Sequence, residues 1–114
     1  MSKKGKIRCI LVKVFEQPKV IEIEHNLSTL QNYVGGIIDI VEIEEDVDII
    51  INDEGKLLGL SPNLVLYEFR DIIVGDFLVV GQKNGETISL SEEKIEKYMK
   101  RFDLKRRLLW EMMI

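Results

Sequence analysis

Four stretches of this chain draw their apolar residues almost entirely from Ile, Val and Leu: Ile7–Val14, Ile37–Asp46, Val47–Asp53 and Asp71–Val80. β-Branched side chains lose rotamer freedom in a helix and fit a pleated surface. Short apolar runs of this kind, each bounded by Asn, Asp, Gly or Pro, commit the chain to building a sheet. The segment KVIEIEH (Lys19–His25) adds strict alternation. Ile21, Ile23 and then Leu27 fall on one side, Glu22 and Glu24 on the other. That period of two describes a half-buried strand, paired with Ile7–Val14 in a first hairpin turned by Glu16-Gln17-Pro18.

Two segments change period. In NLSTLQNYVGG, Leu27, Leu30, Tyr33 and Val34 recur at helical spacing. Asn26 or Ser28 supplies a capping oxygen, and Gly35-Gly36 a left-handed stop. From Ser91 onward, Ile95, Tyr98, Met99 and Phe102 form an inner stripe behind an N-cap serine, with Glu92 and Glu93 favouring the helix dipole. The tail DLKRRLLWEMMI continues or restarts that helix.

Between the helices, Ile38 and Ile40, with Val41 and Ile43, are expected to face a core. Glu44-Glu45-Asp46 makes a tight connection to the strand Val47–Asp53. The Asx side chain and glycine of Asn52–Gly55 predict a hairpin turn. Gly59 marks a bulge, and Pro62 starts a helical turn through Leu64–Tyr67. Ile72–Val74 and Phe77–Val80, apolar on both faces, read as a central strand. Asn84-Gly85 gives the last hairpin, with Thr87–Leu90 returning. The architecture predicted is one α+β domain over residues 1–114: an antiparallel sheet of five to six strands, one short helix and a C-terminal amphipathic helix, extended by residues 103–114.

Charge is unevenly distributed. Residues 14–93 hold seventeen acids and four bases, whereas residues 1–13 hold five bases and no acid. Such a body repels nucleic acid over most of its surface and favours a basic partner if its acidic face is used. The lone Cys9 forms no internal disulfide, which points to an intracellular protein. The basic start lacks a cleavage site, and no apolar run approaches the ~20 residues of a membrane span, so cytoplasmic residence is expected.

Catalytic sets are sparse. Cys9 and His25, on adjacent strands, lack an orienting third group and read as core and strand end. Two N/S ligands fall short of the roughly four that a structural zinc needs, so neither a metal nor a cofactor is expected. Gly55-Lys56 is not a phosphate loop, because Ile50 and Leu57 stand where Gly and Ser or Thr are required. Carboxylates alone leave a small carboxylate-based enzyme as the last reading.

Binding candidates are Asn52, Lys56, Asn63, Tyr67 and Arg70, together with a basic strip of Lys94, Lys97, Lys100, Arg101, Lys105, Arg106 and Arg107. The strip reads either as a nucleic-acid or acidic-partner contact or, preferably, as the solvated face of an amphipathic helix. Leu108, Leu109, Trp110, Met112, Met113 and Ile114 need cover, from their own domain or from an oligomer or partner interface.

The segments IRCILVKV with QPKVIEI, LSTLQNYVGGIIDIV, NDEGKLLGLSPNLVL and DIIVGDFLVVG together resemble a domain family of unknown function. Its members are small proteins of phages, plasmids and conjugative elements, mainly of Gram-positive bacteria. The resemblance spans about Ile7 to Phe102 and is most specific at Gly35-Gly36, Asn52–Asn63 and Asp71–Gly81. Lys13-Val14 stands where the family pattern has a proline. The resemblance brings no catalytic residues. It implies a non-enzymatic accessory protein of a mobile element that sequesters a host factor, in the manner of an anti-defence protein. The target would be a host protein or a small signalling nucleotide. The alternative is a nucleic-acid accessory protein for replication or transfer, using the basic helix.

Overall fold

The computed structural model describes residues 5–108. Eight strands and three helices follow one another: β1 Lys6–Val12, β2 Lys19–Glu24, α1 Leu27–Val34, β3 Ile38–Glu44, β4 Val47–Asn52, β5 Pro62–Leu66, β6 Asp71–Val74, β7 Phe77–Lys83, β8 Glu86–Ile88, α2 Glu92–Arg101 and α3 Leu104–Leu108. The main sheet is antiparallel with strand order β2-β1-β7-β4-β3, and β8 extends it by pairing with β7. β5 and β6 form a separate two-stranded sheet. An antiparallel sheet with helices gives the α+β class.

β7 lies at the centre because its side chains are apolar in both directions. Phe77 and Val79 point into one core with Ile10, Ile49, Tyr98 and Phe102. Leu78 and Val80 point into a second core with Cys9, Leu11, Ile50, Leu30 and Val34. The edge strands β2 and β3 alternate Ile with Glu or Asp, and acids on an open edge discourage pairing with other chains. Chain connections cross both faces. α1 carries the chain from β2, at one edge, to β3 at the other. The β5–β6 hairpin is inserted between the neighbouring strands β4 and β7 and packs Leu64, Leu66 and Ile73 on the opposite face.

Local chemistry explains the helix ends. Asn26 Oδ1 accepts from Thr29 N at 2.8 Å, and Gly35 closes α1 in the left-handed conformation at φ 87°. Ser91 Oγ accepts from Lys94 N at the start of α2. Asn84 and Gly85, both at positive φ, turn β7 into β8 as the Asn-Gly pair requires.

The structure corrects five expectations. Ile72–Val74 is not part of the central strand: Gly75 at φ 79° breaks the run, sending Ile72–Val74 into β6 and only Phe77 onward into β7. Asn52–Gly55 turns the chain but joins no hairpin, because β5 leaves the main sheet instead of pairing with β4. Pro62 opens a strand, not a helical turn. Leu64 and Leu66 alternate into the core, which a helix would not allow, and the helical turn comes later at Tyr67–Phe69. Gly59 makes a turn at φ 72° instead of a bulge; the register shift falls between Pro62 and Leu64. Ile40 is exposed, since α1 is too short to reach it, whereas Ile38, Val41 and Ile43 do pack against the cores.

Candidate functional site

The stretch NDEGKLLGLSPN is bracketed by two buried asparagines. Asn52 Oδ1 accepts from Glu54 N at 2.8 Å, while its Nδ2 donates to Val34 O at 3.1 Å. The first bond shapes the turn and the second ties it to the end of α1. Asn63 Nδ2 donates to Val12 O at 3.0 Å and to Gly75 O at 2.9 Å, and its Oδ1 accepts from Arg107 Nε at 3.1 Å. A buried amide left unpaired is costly, so these bonds fix the segment at both ends.

Held in this way, the segment walls a cleft of about 410 Å³, lined by Asn32, Tyr33 and Gly35 of the α1 end, by Leu58, Leu60 and Ser61, and by Gly75 and Asp76. That volume lies within the ~300–1,000 Å³ typical of ligand clefts. Gly75 is favoured by its backbone conformation, and a side chain there would push Leu60 aside. Its φ is positive, and a Cβ there would sit 2.7 Å from Leu60 Cδ1. Gly75 N donates to Ser61 O at 2.8 Å, and Asp76 Oδ1 accepts from Val14 N at 3.0 Å, so the β6–β7 corner is pinned to both neighbours. Leu57 and Leu58 stand exposed on the same turn, at 83% and 57%.

The other sequence candidates lie elsewhere. Lys56 pairs with Asp71, and this contact holds the Asp71 carboxyl below the usual carboxylate range. Tyr67 is exposed, and Arg70, in the left-handed conformation, closes the helical turn Tyr67–Phe69. A groove of about 160 Å³ gathers Leu64, Val65, Tyr67, Arg101, Arg106 and Arg107. Arg101 within it is held by both carboxylate oxygens of Glu68, at 2.7 and 2.8 Å.

The basic strip divides among several tasks. Lys94, Lys97 and the Tyr98 hydroxyl all donate to Glu44, tying α2 to edge strand β3 and holding the Glu44 carboxyl down at about 2. Lys100 sits 3.9 Å from Glu96, and Lys105 and Arg106 are exposed. Arg107 is buried, contrary to the solvated face expected for it. Its guanidinium donates to the carbonyls of Lys13, Glu16, Asn63 and Phe102. The helix breaks at Phe102-Asp103 and restarts at Leu104, which takes Arg107 off the face of α2. Leu108 ends α3; Leu109, Trp110, Met112, Met113 and Ile114 fall outside the described residues.

Burial pushes the Cys9 thiol up to about 12, so no thiolate forms near neutrality. Among the described residues no three His, Cys, Asp or Glu side chains gather as a metal site, and no helix is long and apolar enough to cross a membrane.

Asp76, Tyr33, Ser61 and Gly75 were not singled out from the sequence as site residues. Nothing in their residue types marks a site.

Fold and cleft together define a small α+β protein in which segments distant in sequence converge on one depression. The chain belongs to the family described as Domain of unknown function (DUF3846), whose model matches residues 7–103. No curated protein and no solved structure matches it.

Proposed function

We propose that this chain is a non-catalytic binding protein that holds a partner in the cleft between the α1 end, the Asn52–Asn63 segment and the β6–β7 corner. One observation carries the reading: three segments far apart in sequence wall the same cleft. Two buried asparagines and a glycine at positive φ hold it rigid. Rigid scaffolds that present loop walls are the usual construction of binding sites. The buried, protonated Cys9 adds nothing a nucleophilic mechanism would use. The biological setting we infer is a bacterial cell carrying a phage, plasmid or conjugative element, in which the protein sequesters a host factor as an anti-defence or accessory protein.

A second reading, binding of nucleic acid or a signalling nucleotide through Tyr67, Arg101 and Arg106, rests on the groove they share. That groove is smaller than the ~300 Å³ lower end for ligand sites, and Arg101 there is already paired with Glu68.

The test is native mass spectrometry of the full chain recovered from a bacterial lysate, beside Ser61→Arg, which fills the cleft while leaving the backbone bond to Gly75. A discrete added mass at fixed stoichiometry, lost in Ser61→Arg, is expected. An added mass retained in Ser61→Arg places the function outside the cleft. A mobility shift of DNA or RNA at low salt would favour the second reading.

A further inference from the structure

The cleft has a definite electrostatic sign. Asp76 contributes a carboxylate, of which only Oδ1 is engaged by Val14 N in the structure. The C-terminal end of α1 opens into the same space through Asn32–Gly35, and the last carbonyls of a helix carry about half a negative charge. Among the described residues that line the cleft, none is basic. The nearest lysine in the Asn52–Asn63 segment, Lys56, is turned to the other side and occupied by Asp71.

Its apolar walls are equally definite. Val14, Leu58 and Leu60 offer aliphatic surface. Tyr33, half-buried and packed against the second core, lines the same cleft. Leu57 and Leu58 extend this apolar surface along the exposed turn.

Resting on the binding role given above, we propose that the occupant is a protein segment that inserts an arginine or lysine side chain, flanked by apolar residues, into this cleft. The aliphatic stem of such a side chain matches Leu58, Leu60 and Val14. Its charged head matches the Asp76 carboxylate beside the C-terminal end of α1. A phosphate or nucleotide faces the wrong sign here, and so does an acidic peptide. The acidic body, seventeen acids against four bases over residues 14–93, favours approach of a basic partner.

The test uses the full ¹⁵N-labelled chain titrated with the peptide Ac-Leu-Arg-Leu-Leu-NH₂, its Gln and Glu counterparts, and ATP. Amide shifts of Gly35, Ser61 and Gly75 are followed by NMR. The Arg peptide is expected to move these three amides saturably, and to bind at least fivefold tighter than the Gln peptide. Asp76→Asn keeps an oxygen for the Val14 N–H and should preserve the fold. It is expected to reduce the Arg-over-Gln preference by threefold or more, and raised salt should reduce it as well. If the Gln or Glu peptide or ATP moves the same amides as well as the Arg peptide does, the cleft binds ligands but the cationic occupant is wrong. If no probe moves them, the cleft itself is not the binding site and both readings fall.

Discussion

The two faces of the central sheet are covered by different means. On one, seven side chains from outside its central strands close over β1, β4 and β7: Leu64, Leu66 and Ile73 from the inserted hairpin, then Leu90, Ile95, Tyr98 and Phe102. Phe102 meets Phe77 edge to face, with ring centroids 5.7 Å apart. On the other face, among the described residues, only Leu30 and Val34, from the two turns of α1, are buried over the sheet, and Ile40 stays exposed. The thick face holds the molecule together. The thin face ends at the cleft, where the helix stops and the Asn52–Asn63 segment begins. Burial is thus divided unequally between the two layers of one sheet, with the cleft proposed for binding at the end of the thinner one, and the difference can be attacked one residue at a time.

The largest loss is expected for Phe102→Ala, about 3–5 kcal/mol by urea denaturation, because a ring deep in the thick layer leaves a cavity that cannot collapse. Arg107→Ala follows at about 2–4 kcal/mol, since four backbone carbonyls lose a common buried donor. Leu30→Ala on the thin face is expected to cost about 2 kcal/mol, the low end for a buried leucine, because neighbouring side chains can close over the gap. If Leu30→Ala proves as damaging as Phe102→Ala, the two layers are not unequal. Amide hydrogen exchange offers a check without mutation: α1 should open at lower free energy than α2.

Glu44→Gln sharpens the comparison at the sheet edge, removing the charge that clamps α2 to β3. A loss of about 1 kcal/mol is expected for this partly exposed cluster. The native carboxyl is held at about 2, against an ordinary 4.5. Its contribution is therefore complete above pH ~4.5 and disappears as pH falls toward ~2. Stability of the native chain measured over that window should fall more steeply than that of Glu44→Gln. The smallest effect belongs to Ile40→Lys, under ~0.5 kcal/mol, because that side chain is half exposed and belongs to neither core.

Much of this was legible in the residues themselves. Ile21 and Ile23 alternate with Glu22 and Glu24, Phe77–Val80 is apolar on both faces, and Asn84-Gly85 turns a hairpin. Each pattern is local, and each appears in the structure where its period places it. The Asx turn at Asn52 was equally local and formed as its side chain dictates. Where the chain goes after that turn was not local. Nothing within Asn52–Asn63 says whether the next strand pairs with β4 or leaves for a second sheet, since that depends on what Leu64, Leu66 and Ile73 find to cover.

The site followed the same division. The chain supplied Asn52 and Asn63 as turn residues, and only packing made them buried brackets bonded to Val34, Val12 and Gly75. It supplied Arg107 as one cation among seven, and only the break at Phe102-Asp103 turned it inward. By itself, then, the sequence determined most strands of the main sheet, the helix caps, the Asn84-Gly85 hairpin and the α+β class, because those follow from interactions between residues a few positions apart. The tertiary structure alone decided that Tyr33, Ser61 and Asp76 share one cleft, because residues so distant in the chain meet only once the sheet and its two unequal layers have assembled.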